Sequence, residues 1–294
     1  MSVDRRTLLK TGAIAAAAAA FPAHLTGLTA SAAEEAKTYY DYFSGLGYKA
    51  IKEADLITGD SFNGGIRYDE GHDFRADAPN GEPDRWHVFQ DCARVEDIAK
   101  RNQLGVLAYF HIIGCTNNTP TFRGEVLEQV VRYLVGSANL KPERFVVVGT
   151  ERGEPFLSQL EPFGIKREQV VFRQLEEAQS AGDGSGYFKP DGNPMGQEFH
   201  TLSFHYAPEG SDIPSERVYP LPGYLEIGEF AFEPRHDARK ESEAFGLGVE
   251  RLFMARGKSG SFERTRKLLL HKLKTEAKRR EIPLPQAYHD FSEL

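Results

Sequence analysis

Cysteine, tryptophan and methionine are scarce in this sequence of 294 residues, which has two, one and three of them. Cys92 and Cys115 are too few for a disulfide scaffold, although they could form one bond in an oxidising compartment. Basic residues are outnumbered by acidic ones, and the formal net charge is −7 at pH 7. Because binding along a nucleic acid needs clustered lysine and arginine, this balance argues against a broad nucleic-acid-binding face. The basic stretch at residues 264–280 is better explained as the solvated face of a helix.

Long apolar runs are missing too, except near the amino terminus. There Arg5 and Arg6 precede a leucine pair and Lys10, and a weakly apolar alanine-rich run with small residues at its end follows. This order is typical of an export signal, and the paired arginines indicate the twin-arginine route. The run is interrupted too early to span a membrane. We therefore expect residues 1–32 to be a twin-arginine signal, the export machinery to be a partner, and the protein to be periplasmic or extracellular.

The remaining residues, 33–294, are predicted to form one α+β domain with a small α/β insertion at about residues 137–197. Consecutive strands joined by a hairpin favour an antiparallel sheet flanked by helices. A Rossmann fold would need a glycine-rich turn after the first strand, and the sequence has none there. The predicted helices are residues 34–46, 123–135, 154–160 and 262–279; the predicted strands are residues 86–93, 105–114, 144–148, 170–172, 199–206 and 224–232, and residues 244–255 change from strand to helix.

The strongest local motif is G-x-G-x-E-R at residues 246–251. Gly246 and Gly248 would let the backbone turn tightly at the end of a strand and lie close beneath a ligand. Arg251 would then lie in the first turn of a helix, where its guanidinium can bind phosphate. The alternative is that the glycines only permit close packing of helix on sheet, and that Arg251 pairs with a surface carboxylate.

A second group of candidates lies in the hairpin predicted at residues 86–114. Arg94 and Glu96 are two residues apart and would project from the same face of a strand. There they could hold an α-phosphate and an adenine amino group, and Phe110 on the return strand could stack on a purine. The alternative is an exposed ion pair beside a core phenylalanine, which contributes little to stability.

An arginine-bearing hairpin followed by a strand-to-helix turn with G-x-G-x-E-R resembles the layout of the class II aminoacyl-tRNA synthetases. The segments QDCARVEDI, FHIIG, EVLEQVVRYLVG and KPERFVVVG resemble the catalytic core of alanyl-tRNA synthetases in particular. This resemblance covers roughly residues 36–257. The segment AFGLGVERLFM also resembles the phenylalanyl-tRNA synthetases, which are the rival family.

The resemblance implies an antiparallel sheet of six to seven strands that binds ATP and joins an amino-acid carboxylate to AMP, mainly by positioning and charge neutralisation. It implies that Arg94 binds the α-phosphate, that Arg251 binds the γ-phosphate and that Phe110 stacks on adenine. Magnesium would bridge the phosphates. Its candidate ligands are three glutamates on one strand whose uneven spacing does not put them all on one face: Glu226, Glu229 and Glu233.

The sequence also departs from the family pattern. Ala244 stands where the family has the aspartate that holds the substrate ammonium, His111 replaces a glutamate, and Glu229 replaces an asparagine. The tryptophan of the substrate pocket and an Arg-His pair before Phe110 are missing. A substrate ammonium without its partner would be a buried unpaired charge, so alanine is not the expected substrate. The chain also lacks room for tRNA-recognition regions, and we do not expect tRNA binding.

Three classes of function stay open at this point. The first is an adenylate-forming enzyme that transfers an amino acid to an acceptor other than tRNA. The second is an exported, non-catalytic synthetase-like module that binds a small ligand or partner, and the third is an unrelated hydrolase, favoured only by glutamate and histidine clusters. His200 and His205 would lie on opposite faces of a strand, which is poor spacing for a metal. A homodimer formed through residues 51–65 is a further expectation from the family.

Overall fold

The computed structural model describes residues 30–66, 85–118, 120–189, 198–233 and 242–294. The predicted export signal therefore lies almost wholly outside the described residues and stays a prediction, as does the location that follows from it. None of the helices in these ranges is long and apolar enough to cross a membrane.

A nine-stranded sheet forms the centre of the described fold, and a small two-stranded sheet, β2–β3, lies beside it. The strands are β1 (Lys49–Ala50), β2 (Ile57–Thr58), β3 (Ser61–Phe62), β4 (Arg85–Cys92), β5 (Phe110–Asn117), β6 (Phe145–Gly149), β7 (Val170–Phe172), β8 (Tyr187–Phe188), β9 (Phe199–Tyr206), β10 (Leu225–Glu233) and β11 (Ser242–Gly248). The order across the large sheet is β1-β4-β5-β11-β10-β9-β6-β7, and β8 pairs with β9.

The centre of this sheet is antiparallel. Every neighbouring pair from β4 to β6 runs antiparallel, whereas the edge pairs β1–β4 and β6–β7 are parallel. The predicted antiparallel α+β architecture is therefore confirmed, although the sheet is wider than the six to seven strands expected. The extra width comes from residues 137–189, whose strands β6, β7 and β8 all join the main sheet. The division of the chain into a domain and an insertion stays a prediction.

Six α-helices surround the sheet in the described ranges: α1 (Ala30–Gly45), α2 (Glu125–Arg132), α3 (Leu175–Ala181), α4 (Val249–Ala255), α5 (Phe262–Arg280) and α6 (Gln286–Ser292). Helices α1, α2 and α4 cover one face of the sheet through a large aromatic and aliphatic core. Helices α5 and α6 enclose a second core together with the β2–β3 hairpin. The opposite face of the central strands carries Gly114, Gly246, Glu229 and Ser203.

Two capping contacts explain where helices begin. Gly124, with φ +86°, precedes α2, and the buried carboxylate of Glu243 accepts hydrogen bonds from the backbone N–H groups of Gly124 and Val126. A negative charge at this end of a helix is stabilised by the helix dipole. At the start of α5 the hydroxyl of Ser261 accepts a hydrogen bond from the Arg264 N–H at 3.2 Å.

One expectation about the β4–β5 hairpin is wrong. The return strand covers residues 110–117 and not residues 105–114, because the chain turns at Gly105 with φ +81°. Cys92 and Cys115 form no disulfide and are both buried free thiols. Cys92 pairs with Phe110 and Cys115 with His87, so the two side chains lie at different positions along the ladder and face opposite sides of the sheet.

Candidate functional site

A row of small and polar residues crosses the face of the sheet opposite α1, α2 and α4. Gly114 on β5 pairs with Gly246 on β11, Gly246 pairs with Glu229 on β10, and Glu229 pairs with Ser203 on β9. Directly paired residues point to the same face, so the row forms a shallow floor. A Cβ atom at Gly114 would lie 2.1 Å from the Ile66 side chain, which rests on this floor. The lack of a side chain at Gly114 therefore permits the close approach of Ile66 to the sheet.

An irregularity in β10 brings two of the candidate glutamates to this face. Glu226 pairs with His205 and Glu229 pairs with Ser203, and the register shifts between Glu226 and Gly228. His205 and Ser203 share one face of β9, so Glu226 and Glu229 also share it, contrary to the uneven spacing of the sequence. The expectation that Glu226, Glu229 and Glu233 do not all share one face stays a prediction. The side chain of Glu233 lies outside the described residues.

The structure separates Arg94 from Glu96. Strand β4 ends at Cys92, and Glu96 is exposed on a 3-10 turn at Val95–Ile98, so the expected common strand face is wrong. The Nε of Arg94 donates to the Gly64 carbonyl oxygen at 2.7 Å. The Arg94 guanidinium carbon also lies 5.2 Å from the centroid of the Phe110 ring, a cation–π contact. A purine could use that side of the ring only if Arg94 moved away.

The structure places Arg251 in the first turn of α4, directly after the strand β11 that ends at Gly248. Its Nη1 lies 3.4 Å from a carboxylate oxygen of Glu226, and its Nε donates to the Gly105 carbonyl oxygen at 3.3 Å. A Cβ atom at Gly248 would lie 3.3 Å from the Arg251 side chain, so this glycine makes room for the arginine. Arg251 and Glu226 are thus joined at the edge of the glycine floor.

A buried carboxyl that no sequence motif indicated, Asp97, lies near both arginines. Burial raises the pKa of Asp97, while the charges of Arg94 and Arg251 oppose that increase. Asp97 lies on the 3-10 turn after β4, a segment that the hydrophobic pattern had assigned to a hairpin loop. Its position near Arg94 and Arg251 depends on this turn and on α4. A local sequence pattern therefore cannot predict it.

The turn at residues 183–186 lies beside the glycine floor and forms a polar wall. The buried Arg173 guanidinium donates to Asp183 and to the Ser185 carbonyl, each at 2.8 Å, and lies 4.1 Å from the centroid of the Tyr219 ring. The Tyr219 hydroxyl donates to Asp183 at 2.9 Å. Gly184 brings this turn to the carboxylate of Glu229, since a Cβ atom there would lie 3.4 Å from its Oε1. These contacts fix the wall in one arrangement.

Two titratable groups on this face have shifted pKa values. Burial, and then the charge of Glu226, raise the pKa of Glu229 to about 8, although Ser203 donates a hydrogen bond to it at 3.2 Å. Burial lowers the pKa of His205, so its imidazole is neutral at pH 7. Its Nε2 is buried without a hydrogen-bond partner. Clusters of perturbed groups in an open site are typical of functional sites.

A buried charge network lies behind the floor and links the hairpin to α4 and α5. The backbone N–H of His111 donates to Glu250 at 2.9 Å, and its Nδ1 bonds the same carboxylate. Its Nε2 lies 3.2 Å from Asp91, which also pairs with Lys272. Despite burial, the two carboxylates raise the pKa of His111 to about 10. The network fixes the residues adjacent to Phe110 and Arg251.

Within the described ranges, no group of three or more His, Cys, Asp or Glu side chains is arranged to hold a metal ion. His200 pairs with Phe232 and His205 with Glu226, so the two histidines do lie on opposite faces of β9. A metal at this site would therefore depend on carboxylates together with ligand oxygens.

No protein-family model matches the sequence, and no curated protein matches it. Solved structures similar in fold include two class II aminoacyl-tRNA synthetases. The apo histidyl-tRNA synthetase of S. aureus has 13% sequence identity and a TM-score of 0.42, over 83% of this chain and 77% of that chain. The pyrrolysyl-tRNA synthetase of Desulfitobacterium hafniense has 15% identity and a TM-score of 0.40, over 79% of this chain and 72% of that chain. Similarity at this level says nothing about the chemistry of the site.

Proposed function

We propose that this chain is a class II synthetase-like enzyme that uses ATP to activate the carboxylate of an amino acid. The observation that carries the proposal is the convergence of Arg94, Arg251 and Glu226 around one glycine floor. Arg94 follows the first strand of the hairpin and Arg251 follows β11, so the two cations reach the floor from separate elements. Two arginines beside a glycine-lined face can bind a polyphosphate through charge-assisted hydrogen bonds.

In this reaction the amino-acid carboxylate oxygen attacks the α-phosphorus of ATP, a new C–O–P linkage forms, and pyrophosphate leaves with the electrons of the broken bond. Catalysis of such a displacement is mainly positioning and charge stabilisation. Arg94 would leave the Phe110 ring and bind the α-phosphate, which frees the ring for the adenine. Arg251 would bind the γ-phosphate from the start of α4.

The carboxylates on β10 fit a magnesium ion that is shared with ATP. Glu226 and Glu229 face the same side and both keep part of their surface exposed. Magnesium is commonly held by one or two carboxylates together with substrate phosphates, so a third protein ligand is not required. When bound, the ion would neutralise charge on the phosphate oxygens.

Two finer points belong to the proposal. The alanyl-like segments of the sequence support kinship with that branch of the class. Ala244 is buried on β11 and offers no carboxylate to an ammonium group, so we do not propose alanine as the substrate. The acceptor that follows the adenylate is proposed to be something other than tRNA, and export by the twin-arginine route remains a proposal from the sequence.

A second candidate is a non-catalytic module that binds a small ligand after export. The specific observation in its favour is the engagement of Arg94 with the Gly64 carbonyl and the Phe110 ring. To bind a phosphate, Arg94 would have to give up both of these contacts. ATP binding distinguishes the two candidates.

The test is calorimetric titration of the full chain with ATP in the presence and absence of magnesium. Arg94→Ala and Arg251→Ala should each weaken binding at least about tenfold, because each removes a charge-assisted hydrogen bond. Arg132→Ala is the matched control, since Arg132 is an exposed arginine of α2 that pairs with Glu128. Absence of ATP binding by the wild-type chain would remove the enzyme proposal, and equal affinities for all three variants would remove the assigned roles.

A further inference from the structure

The segment at residues 63–66 lies against the glycine floor, and we call it the strap. It begins beside the end of β4, where the Ala93 N–H donates to the Asn63 carbonyl oxygen at 3.0 Å. It reaches Ile66, whose half-buried side chain rests on the floor. The strap therefore covers part of the face that carries the proposed nucleotide site.

The side chain of Ile66 takes up space over the floor. Its Cδ1 would lie 2.1 Å from a Cβ atom at Gly114 and 3.7 Å from one at Gly246. The added Cβ atom at Gly246 would also lie 3.7 Å from Ile112. Ile112 is two residues beyond Phe110 on the same face of β5, because side chains alternate along a strand. Ile66 therefore occupies volume that a ligand extending from the Phe110 ring along the floor would need.

The strap also holds Arg94 against the Phe110 ring. The Gly64 carbonyl oxygen accepts a hydrogen bond from the Nε of Arg94 at 2.7 Å, and the guanidinium lies over the ring. A Cβ atom at Gly64 would lie 3.2 Å from the Arg94 side chain, so the glycine permits this close approach. Gly64 and Ile66 are only two residues apart. Movement of the strap away from the floor would therefore release the arginine and the ring together.

We propose that the strap is autoinhibitory, because Ile66 on the floor and Gly64 on Arg94 compete with the nucleotide for the same face. The inference rests on the proposed ATP-dependent function and adds a means of regulating that site. ATP binds the state in which residues 64–66 have left the floor. Its apparent affinity is reduced by the fraction of molecules that are in that state. Gly64 and Gly65 provide backbone freedom for the movement.

Calorimetric titration of the full chain with ATP and magnesium tests this proposal. Ile66→Ala should bind ATP at least about fivefold more tightly than the wild type, because a shorter side chain holds the floor less well and more molecules are competent to bind. If Ile66 only lined the nucleotide site, the same truncation would remove contacts with ATP and weaken binding. Ile213→Ala is the matched control, since Ile213 is an exposed isoleucine between β9 and β10, and its affinity should equal that of the wild type.

Labelling of Ile66→Cys with iodoacetamide gives a second readout, in which mass spectrometry assigns the label to its position. Saturating ATP should raise the rate at position 66 at least about fivefold, because ATP selects the state in which the strap has left the floor. Ile213→Cys should label at one rate with and without ATP. Binding by Ile66→Ala that is no tighter than wild type, or labelling at position 66 that ATP slows or leaves unchanged, would overturn this inference alone. Absence of ATP binding by both the wild type and Ile66→Ala would remove the proposed function and this inference with it.

Discussion

The charge network at His111 should make the stability of the fold depend on pH in a defined window. The imidazole contacts Glu250 through Nδ1 and Asp91 through Nε2, and Asp91 also pairs with Lys272. The pKa of His111 rises from 6.5 to about 10 in the folded chain. A histidine whose pKa is raised by folding stabilises the fold fully below its unfolded pKa. We therefore expect this contribution to be lost between pH 6.5 and pH 10.

The size of the effect follows from two independent arguments. A shift of this size, at about 1.4 kcal/mol per pKa unit, gives an upper limit of roughly 5 kcal/mol. Breaking a buried ion pair by removing one partner costs about 3–5 kcal/mol. The side chain is 4% exposed, so solvent screening reduces the value little. We expect His111→Gln to be about 3–5 kcal/mol less stable than the wild type at pH 6.

Urea unfolding of both proteins from pH 6 to pH 10 measures this difference. The two proteins should converge as the pH rises, because only the wild type loses the charged imidazole. Ionisation of Cys92 and Cys115 on unfolding lowers stability at high pH in both proteins and cancels in the comparison. A stability difference that stays constant from pH 6 to pH 10 would refute the charged state of His111 and leave only a packing role.

Two further outcomes follow from buried groups elsewhere in the fold. Glu243→Gln should destabilise the protein by about 1.5–3 kcal/mol in urea unfolding, because a carboxylate that accepts two N–H groups at the start of α2 becomes a neutral amide. An unchanged unfolding midpoint would contradict this capping role. Iodoacetamide should label neither cysteine in the folded chain, since burial raises the pKa of Cys115 to about 12 and that of Cys92 still higher. Both should be labelled in denaturant without a reductant, whereas a disulfide would protect both, as mass spectrometry would show.

The sequence pattern was most informative where an element is determined by its own residues. The strand at residues 170–172 and the strand at residues 199–206 have the predicted bounds, and the change from strand to helix occurs at Gly248. Each combines a short apolar or alternating run with a clear boundary. The pattern failed at residues 106–109, an apolar run that resembles a strand. There the N–H of Ala108 donates to Thr265 on α5, so a helix distant in sequence takes the place of a neighbouring strand.

The site could be predicted only in part for the same reason. Arg251 lies in the first turn of α4 as its motif predicts, whereas Arg94 follows the end of β4 and shares no strand face with Glu96. The common face of Glu226 and Glu229 depends on a register shift against β9, and no spacing within β10 encodes that shift. His205 was placed on the correct strand, but local alternation does not say which of the two faces is open. Asp97 was missed because the turn after β4 was assigned to a loop.

The attachment of the β2–β3 hairpin has a consequence for the order in which the molecule is made. The carboxylate of Glu276 on α5 accepts the N–H groups of Leu56 and Ile57, from 220 and 219 residues away. The same segment then reaches Gly64, whose carbonyl oxygen holds Arg94. A growing chain that has not yet released α5 therefore lacks the support for this arginine. The setting of Arg94 is therefore completed only after α5 has been synthesised.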